Sequence, residues 1–122
     1  MGDRGQVHIL DQYRKSKGVW LYTHWGATDL VKDVHRALSK RCRWDDDEYL
    51  ARIIFDEMIP VKYRGTETGW GIGASGPHGD EWRIVEIDCE NQKVTVIKYP
   101  SSKIEWQGTF EKFIAVDPKD LP

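Results

Sequence analysis

A chain of 122 residues is the length of one domain with one hydrophobic core. Hydrophobic residues make up 39% and charged residues 31%, a globular rather than a disordered mix, and no apolar run approaches the roughly 20 residues needed to cross a bilayer. The net charge of −2 conceals an asymmetry: residues 1–43 hold nine Lys or Arg against four Asp or Glu, and residues 44–122 hold nine against sixteen. The basic third either attracts a phosphate-bearing ligand or pairs with the acidic remainder inside the fold.

Met1 to Arg4 lead into a strand-like segment without the apolar stretch of a signal peptide, and Gln6 stands where a myristoylation signal needs Ser or Thr. With only Cys42 and Cys89, far apart in the chain, two free thiols in a reducing cytoplasm are expected. Six tryptophans are too many to bury completely in so small a domain. One or two of them are expected at a cleft or a homo-oligomer interface.

In chain order, Gly5 to Leu10 alternates as a first strand. Arg14 to Gly18 is a polar turn, and Val19 to Thr23, apolar on both faces, is a central strand completing an N-terminal β-hairpin. Gly26 breaks it. Thr28 is then the expected N-cap of a helix to about Arg41, with Leu30, Val31, Val34, Ala37 and Leu38 as its buried stripe.

A second helix is expected from Asp45, paired with Glu48 as a capping box, to Ile59 before Pro60. Leu50, Ile53, Ile54, Phe55, Met58 and Ile59 cover most of its circumference, so it reads as the structural centre, with Arg52 placed to pair with Glu48 and Asp56. Glu57 falls on the apolar side and must find a partner or reach solvent.

Three strands follow, Gly69–Ala74, Trp82–Asp88 and Lys93–Tyr99, joined by turns at 75–80 and 89–92, so an antiparallel meander is expected. Ile104 to Trp106 adds a short extended piece, and Thr109 caps a final helical turn through Phe110, Phe113 and Ile114. The fold class is therefore α+β in a single domain over residues 1–122: hairpin, two central helices, meander, short terminal helix.

The runs Gly18-Val-Trp-Leu-Tyr-Thr-His-Trp-Gly26, Trp44-Asp-Asp-Asp-Glu-Tyr-Leu-Ala-Arg-Ile-Ile-Phe55 and Glu67-Thr-Gly-Trp-Gly-Ile72 resemble those of a family of small prokaryotic and phage proteins. The resemblance covers about residues 5–98 and rests on three motifs in order. It implies no established activity; it implies a phage or mobile-element context, and with it a role in phage–host conflict.

Two segments carry the candidate chemistry. His24 and Trp25 end a strand before a helix N-terminus, a place whose free N–H groups suit an anion; the alternative is that both side chains simply pack the corner. In 65–76, Gly69, Gly71 and Gly73 alternate, leaving one strand face bare for a helix, another backbone or a ring-shaped ligand. The expected ligand-binding set is His24, Trp25, Thr28, Thr66, Glu67, Thr68, Gly69 and Gly71, meeting in one cleft.

No nucleophile stands beside a base, the four histidines show no metal-ligand spacing, and no cofactor motif is present, so catalytic residues, metal and cofactor are all read as none. Arg36, Lys40, Arg41 and Arg43 with Trp44 suit nucleic acid, but a sequence pI near 6.1 argues against it, as the absence of a long apolar run does for a membrane partner. The function expected is a non-enzymatic binding protein for a small phosphate-bearing, nucleotide-like ligand, or one that blocks a host defence protein. The alternatives are a small hydrolase or transferase using His24 with Glu57 or Glu67, or a structural oligomer subunit.

Overall fold

The computed structural model describes residues 3–65 and 68–122. Six strands form one sheet: β1 (Gly5–Leu10), β2 (Gly18–Thr23), β3 (Trp70–Gly73), β4 (Arg83–Asp88), β5 (Lys93–Lys98) and β6 (Lys103–Thr109). Three helices, α1 (Leu30–Ser39), α2 (Asp47–Met58) and α3 (Phe110–Ala115), complete an α+β fold. The strand order is β3-β2-β1-β4-β5-β6, antiparallel except for the parallel pair β1–β4.

Alternation along the strands sets the two faces. Val7, Ile9, Leu21, Val85, Ile87, Val94 and Val96 share one face and are all buried with the helices in a single core. Gln6, His8, Trp20 and Tyr22 share the opposite face, which carries no helix.

Helix α1 is the centre of the helical layer. Leu30, Val31, Val34, Ala37 and Leu38 are wholly buried, as their spacing predicts, and Asp33 and His35 are buried beside them. The second helix was expected to hold that place, but α2 buries only Leu50, Ala51, Ile54 and Met58. Ile53 and Phe55 are half-buried because α2 lies at the edge of the layer. Its N-cap is Asp46 and not Asp45: the Asp46 carboxylate accepts from the Glu48 and Tyr49 N–H groups. Arg52 pairs with Asp56 alone (2.6 Å) among the described residues.

Thr28 does not cap α1. It lies within a 3-10 turn, Ala27–Asp29, that precedes the helix, and no side chain caps that junction. Asp3 serves the turn instead: its carbonyl accepts from Ala27 N–H (3.0 Å) and its carboxylate from Thr28 N–H (2.9 Å). Thr109 does cap α3, accepting from Lys112 N–H.

The C-terminal meander is β4-β5-β6, and β6 extends the short piece expected at 104–106 to seven residues. The glycine strand β3 is not part of the meander, contrary to its sequence neighbourhood; it pairs with β2 at the far edge. Because Gly73 is level with Trp20 while Arg83 is level with Gly5, the 74–82 connection runs back across the helix-free face. There it covers Trp20, Gln6 and Tyr22, with Gly76 against the first two and the His78 ring 5.5 Å from Tyr22. Glu81 pins that connection from a sealed position, accepting from the His78 and Gly79 N–H groups.

The charge asymmetry along the chain is used within the fold. Basic residues of the first third pair with later acids: Arg4 with Asp80, Lys15 with Asp88 and Glu90, Arg36 and Lys40 with Glu57, Arg41 with Glu111. No helix among the described residues is long and apolar enough to cross a membrane.

Candidate functional site

The β2 exit and the glycine strand are joined directly. His24 N–H donates to the Gly69 carbonyl (2.7 Å), and the Trp25 ring occupies the space that a Cβ at Gly69 would need. Glycine is required there by close approach, the reason its alternation suggested. At Gly71 the face is open, with nothing among the described residues within 4 Å of where a Cβ would stand. Helix packing against this bare face, one of the expected explanations, does not occur, because Gly71 is level with Tyr22 on the helix-free side.

On the other side of that junction is a cavity of about 440 Å³. Trp25, Tyr63 and Trp70 form its aromatic wall: the Trp25 and Trp70 rings meet edge to face at 5.5 Å, and Tyr63 stacks on Trp70 at 5.8 Å. Trp25 is 50% exposed, a large apolar surface left to solvent beside the cavity. The indole Nε1 of Trp70 is buried and has no hydrogen-bond partner among the described residues, near Gly26 on the same wall. A buried donor left unpaired costs roughly 1–3 kcal/mol, so such a group marks a place where a partner is missing.

Facing the rings are charged groups of α1 and α2. Arg36 bridges two carboxylates, Asp33 at 2.6 Å and Glu57 at 2.9 Å, and Lys40 approaches Glu57 at 3.7 Å. This resolves the position of Glu57, whose apolar-side location demanded a partner. Asp29 also lines the cavity. Burial, reinforced by the charges of Asp29 and Glu57, outweighs the Arg36 contact and pushes the Asp33 carboxyl up to about 7.

The expected set is thus only partly brought together. Trp25 lines the cavity and Gly69 supports its ring. His24 turns elsewhere, its Nδ1 3.3 Å from the Tyr22 hydroxyl. Thr28 and Thr68 are exposed, and Thr66 and Glu67 lie outside the described residues. The N–H groups expected to receive an anion are in use: Thr28 by Asp3, and Gly26 by Thr23 Oγ1 (2.9 Å).

Tyr63, Asp33 and Arg36 were not singled out as site residues. Asp33 had a legible signal, since it falls between Leu30 and Ala37 on the buried side of α1, the same anomaly that flagged Glu57. Tyr63, in a polar link, had none. Among the described residues no group of His, Cys, Asp and Glu is arranged to hold a metal ion.

A larger groove of about 600 Å³ lies between the first half of α2 and the β2–β3 edge, lined by Val19, Leu21, Ala51, Phe55 and Ile72. Among the described residues it has neither stacked rings nor an orphaned buried donor, so the smaller cavity is the better candidate. No protein-family model, curated protein or solved structure matches the chain.

Proposed function

We propose that the protein is a non-enzymatic binding module that captures a small ligand with a flat, nucleobase-like ring in the Trp25–Tyr63–Trp70 cavity. The single observation that carries this reading is the buried, unpartnered Trp70 Nε1–H set in an aromatic wall beside the half-exposed Trp25. A ring stacked on such a wall gains about 1–3 kcal/mol, and an acceptor on it satisfies the orphaned donor. The carboxylates opposite accept ring N–H groups.

The ring, more than a phosphate, supplies recognition in this reading. The turn at Gly26–Thr28 has its N–H groups occupied, and Arg36 is already shared between two acids. A phosphate on a nucleotide-like ligand therefore extends away from the cavity. A catalytic role for His24 with Glu57 has less support, because His24 bonds Tyr22 while Glu57 bonds Arg36.

Titration calorimetry with nucleobases, nucleosides and their monophosphates tests this. Binding of a nucleoside that is lost in Trp70→Leu and changed little by adding a phosphate supports the reading. Binding that requires the phosphate, or that survives Trp70→Leu unchanged, contradicts it.

A further inference from the structure

The charge of the cavity narrows the ligand further, an inference that rests on the binding reading above. Among the described residues three carboxylates line it, Asp29, Asp33 and Glu57, against one guanidinium, Arg36. That guanidinium is held by two of the three, and Lys40, the next cation, lies toward Glu57 at 3.7 Å. Trp25, Trp70 and Tyr63 line the same cavity, and a ring face open to it carries the negative side of its quadrupole. An aromatic wall with acids opposite is the environment that attracts a cation with its charge spread over a flat surface. An anionic or electron-rich ring meets repulsion from both sides.

We infer that the cavity selects flat rings bearing a delocalised positive charge, such as an N-alkylated purine, over neutral rings of the same shape. The ring stacks on the tryptophan wall, its charge faces Glu57 and Asp33, and a neighbouring acceptor on the ligand takes the Trp70 Nε1–H. Asp33 is poised for this role by geometry: it is 8% exposed, on the cavity wall, with Arg36 as its one charged hydrogen-bond partner among the described residues. A ligand cation adds a second, relieving the mutual repulsion of the three acids.

Matched pairs isolate the charge from the shape. Calorimetry on the intact protein compares 1-methyladenosine with adenosine, and 1-methylnicotinamide with nicotinamide, near pH 7.5, where both alkylated rings are cationic and Asp33 is largely ionised. The cationic member of at least one pair is expected to bind about tenfold or more tightly, the scale of a partly desolvated cation–π contact joined to an ion pair. Raising the salt concentration and Glu57→Gln should both shrink that ratio toward one. The same methylated base placed in a short oligonucleotide distinguishes a free nucleoside from a modified strand as the source; weaker binding there points to the free form. Equal or tighter binding of the neutral members overturns the inference while leaving the flat-ring reading standing. Failure of every member, charged and neutral, removes the reading as well.

Discussion

The Trp25 ring rests against the α-carbon of Gly69, so the corner after β2 and the start of β3 hold each other in place. The backbone bond from His24 N–H to the Gly69 carbonyl (2.7 Å) closes the same junction. Because Trp25 is half exposed, its position serves the cavity wall more than the core. Gly69→Ala should therefore displace the indole and weaken ligand binding at least tenfold while costing about 1 kcal/mol of stability, the range for sites away from core cavities. Calorimetry and chemical denaturation on the same sample check both halves. A variant that binds as well as the parent removes Trp25 from the site.

The two neighbouring isoleucines of α2 should behave differently. Ile54 is wholly buried, so Ile54→Ala should cost about 2–5 kcal/mol, whereas Ile53, half-buried at the edge of the layer, should cost markedly less. Urea denaturation midpoints measure the difference, and equal losses would place α2 deeper than described.

That contrast marks how far the sequence could be read. The stripe Leu30, Val31, Val34, Ala37 and Leu38 repeats at the helical period, and a local period is visible in a local string. Ile53 looked as buried as Ile54 because apolar character all round α2 says nothing of which neighbours cover it. Strand partners are equally non-local: β3 sits beside β4 in sequence, yet it pairs with β2 and the 74–82 connection crosses the sheet to reach β4.

The same limit applies to the site. Trp25 and Gly69 were legible, one as a large ring at a tight turn and the other as a missing side chain in a strand. Arg36 was not, since an arginine three residues after an acid on a helix ordinarily reads as half of a solvated pair, and that pairing masked the signal Asp33 carried on the buried side of α1. The anion-friendly turn failed to foresee its own occupant, Asp3, twenty-five residues before Thr28.

Asp3 ties three segments together: its carboxylate accepts from Thr28 N–H (2.9 Å) and from the Trp82 indole (2.7 Å). Asp3→Ala leaves both donors without that acceptor and should cost about 1–2 kcal/mol, the scale of a lost cap. Burial opposes ionisation of Asp3, but the bonds from Thr28 and Trp82 and the Arg83 charge outweigh it and hold the carboxyl below its usual range. The stability it adds is therefore present above the ordinary carboxylate pKa and is lost as pH falls through the lowered one. An Asp3→Ala penalty that is the same at pH 2 and pH 7 contradicts this.

Asp33 works in the opposite sense. Its carboxyl is pushed from 3.8 up to about 7, so the folded protein keeps a proton that the unfolded chain releases. Its contribution to stability falls as pH rises from about 4 to about 7 and levels off above. Asp33→Asn should remove that decline, measured as denaturation free energy against pH. In the parent, affinity for a flat cation should rise over the upper part of the same window as Asp33 ionises. Asp29, Glu57, Arg36, Lys40 and Tyr63 are the charged and titratable groups around it.

The two thiols differ in reach. Cys42 is exposed, while Cys89 is buried, and burial pushes its thiol up to about 12. A thiol reagent at neutral pH should titrate one group in the folded protein and two in denaturant. Two fast-reacting groups in the folded state would put Cys89 outside the core.

The central claim is that the Trp25–Tyr63–Trp70 wall receives the ligand, and the indole N–H resonances report on it most directly. Trp44 and Trp82 have their indole donors bonded, to the Leu38 carbonyl (3.0 Å) and to Asp3 (2.7 Å), whereas Trp70 has no partner among the described residues. In a nitrogen–proton correlation spectrum titrated with 1-methyladenosine, the Trp70 indole signal should move downfield as it gains an acceptor, with Trp25 shifting beside it. Trp44 and Trp82 should stay fixed. Saturable shifts at Trp44 or Trp82 with Trp25 and Trp70 unmoved would contradict the account.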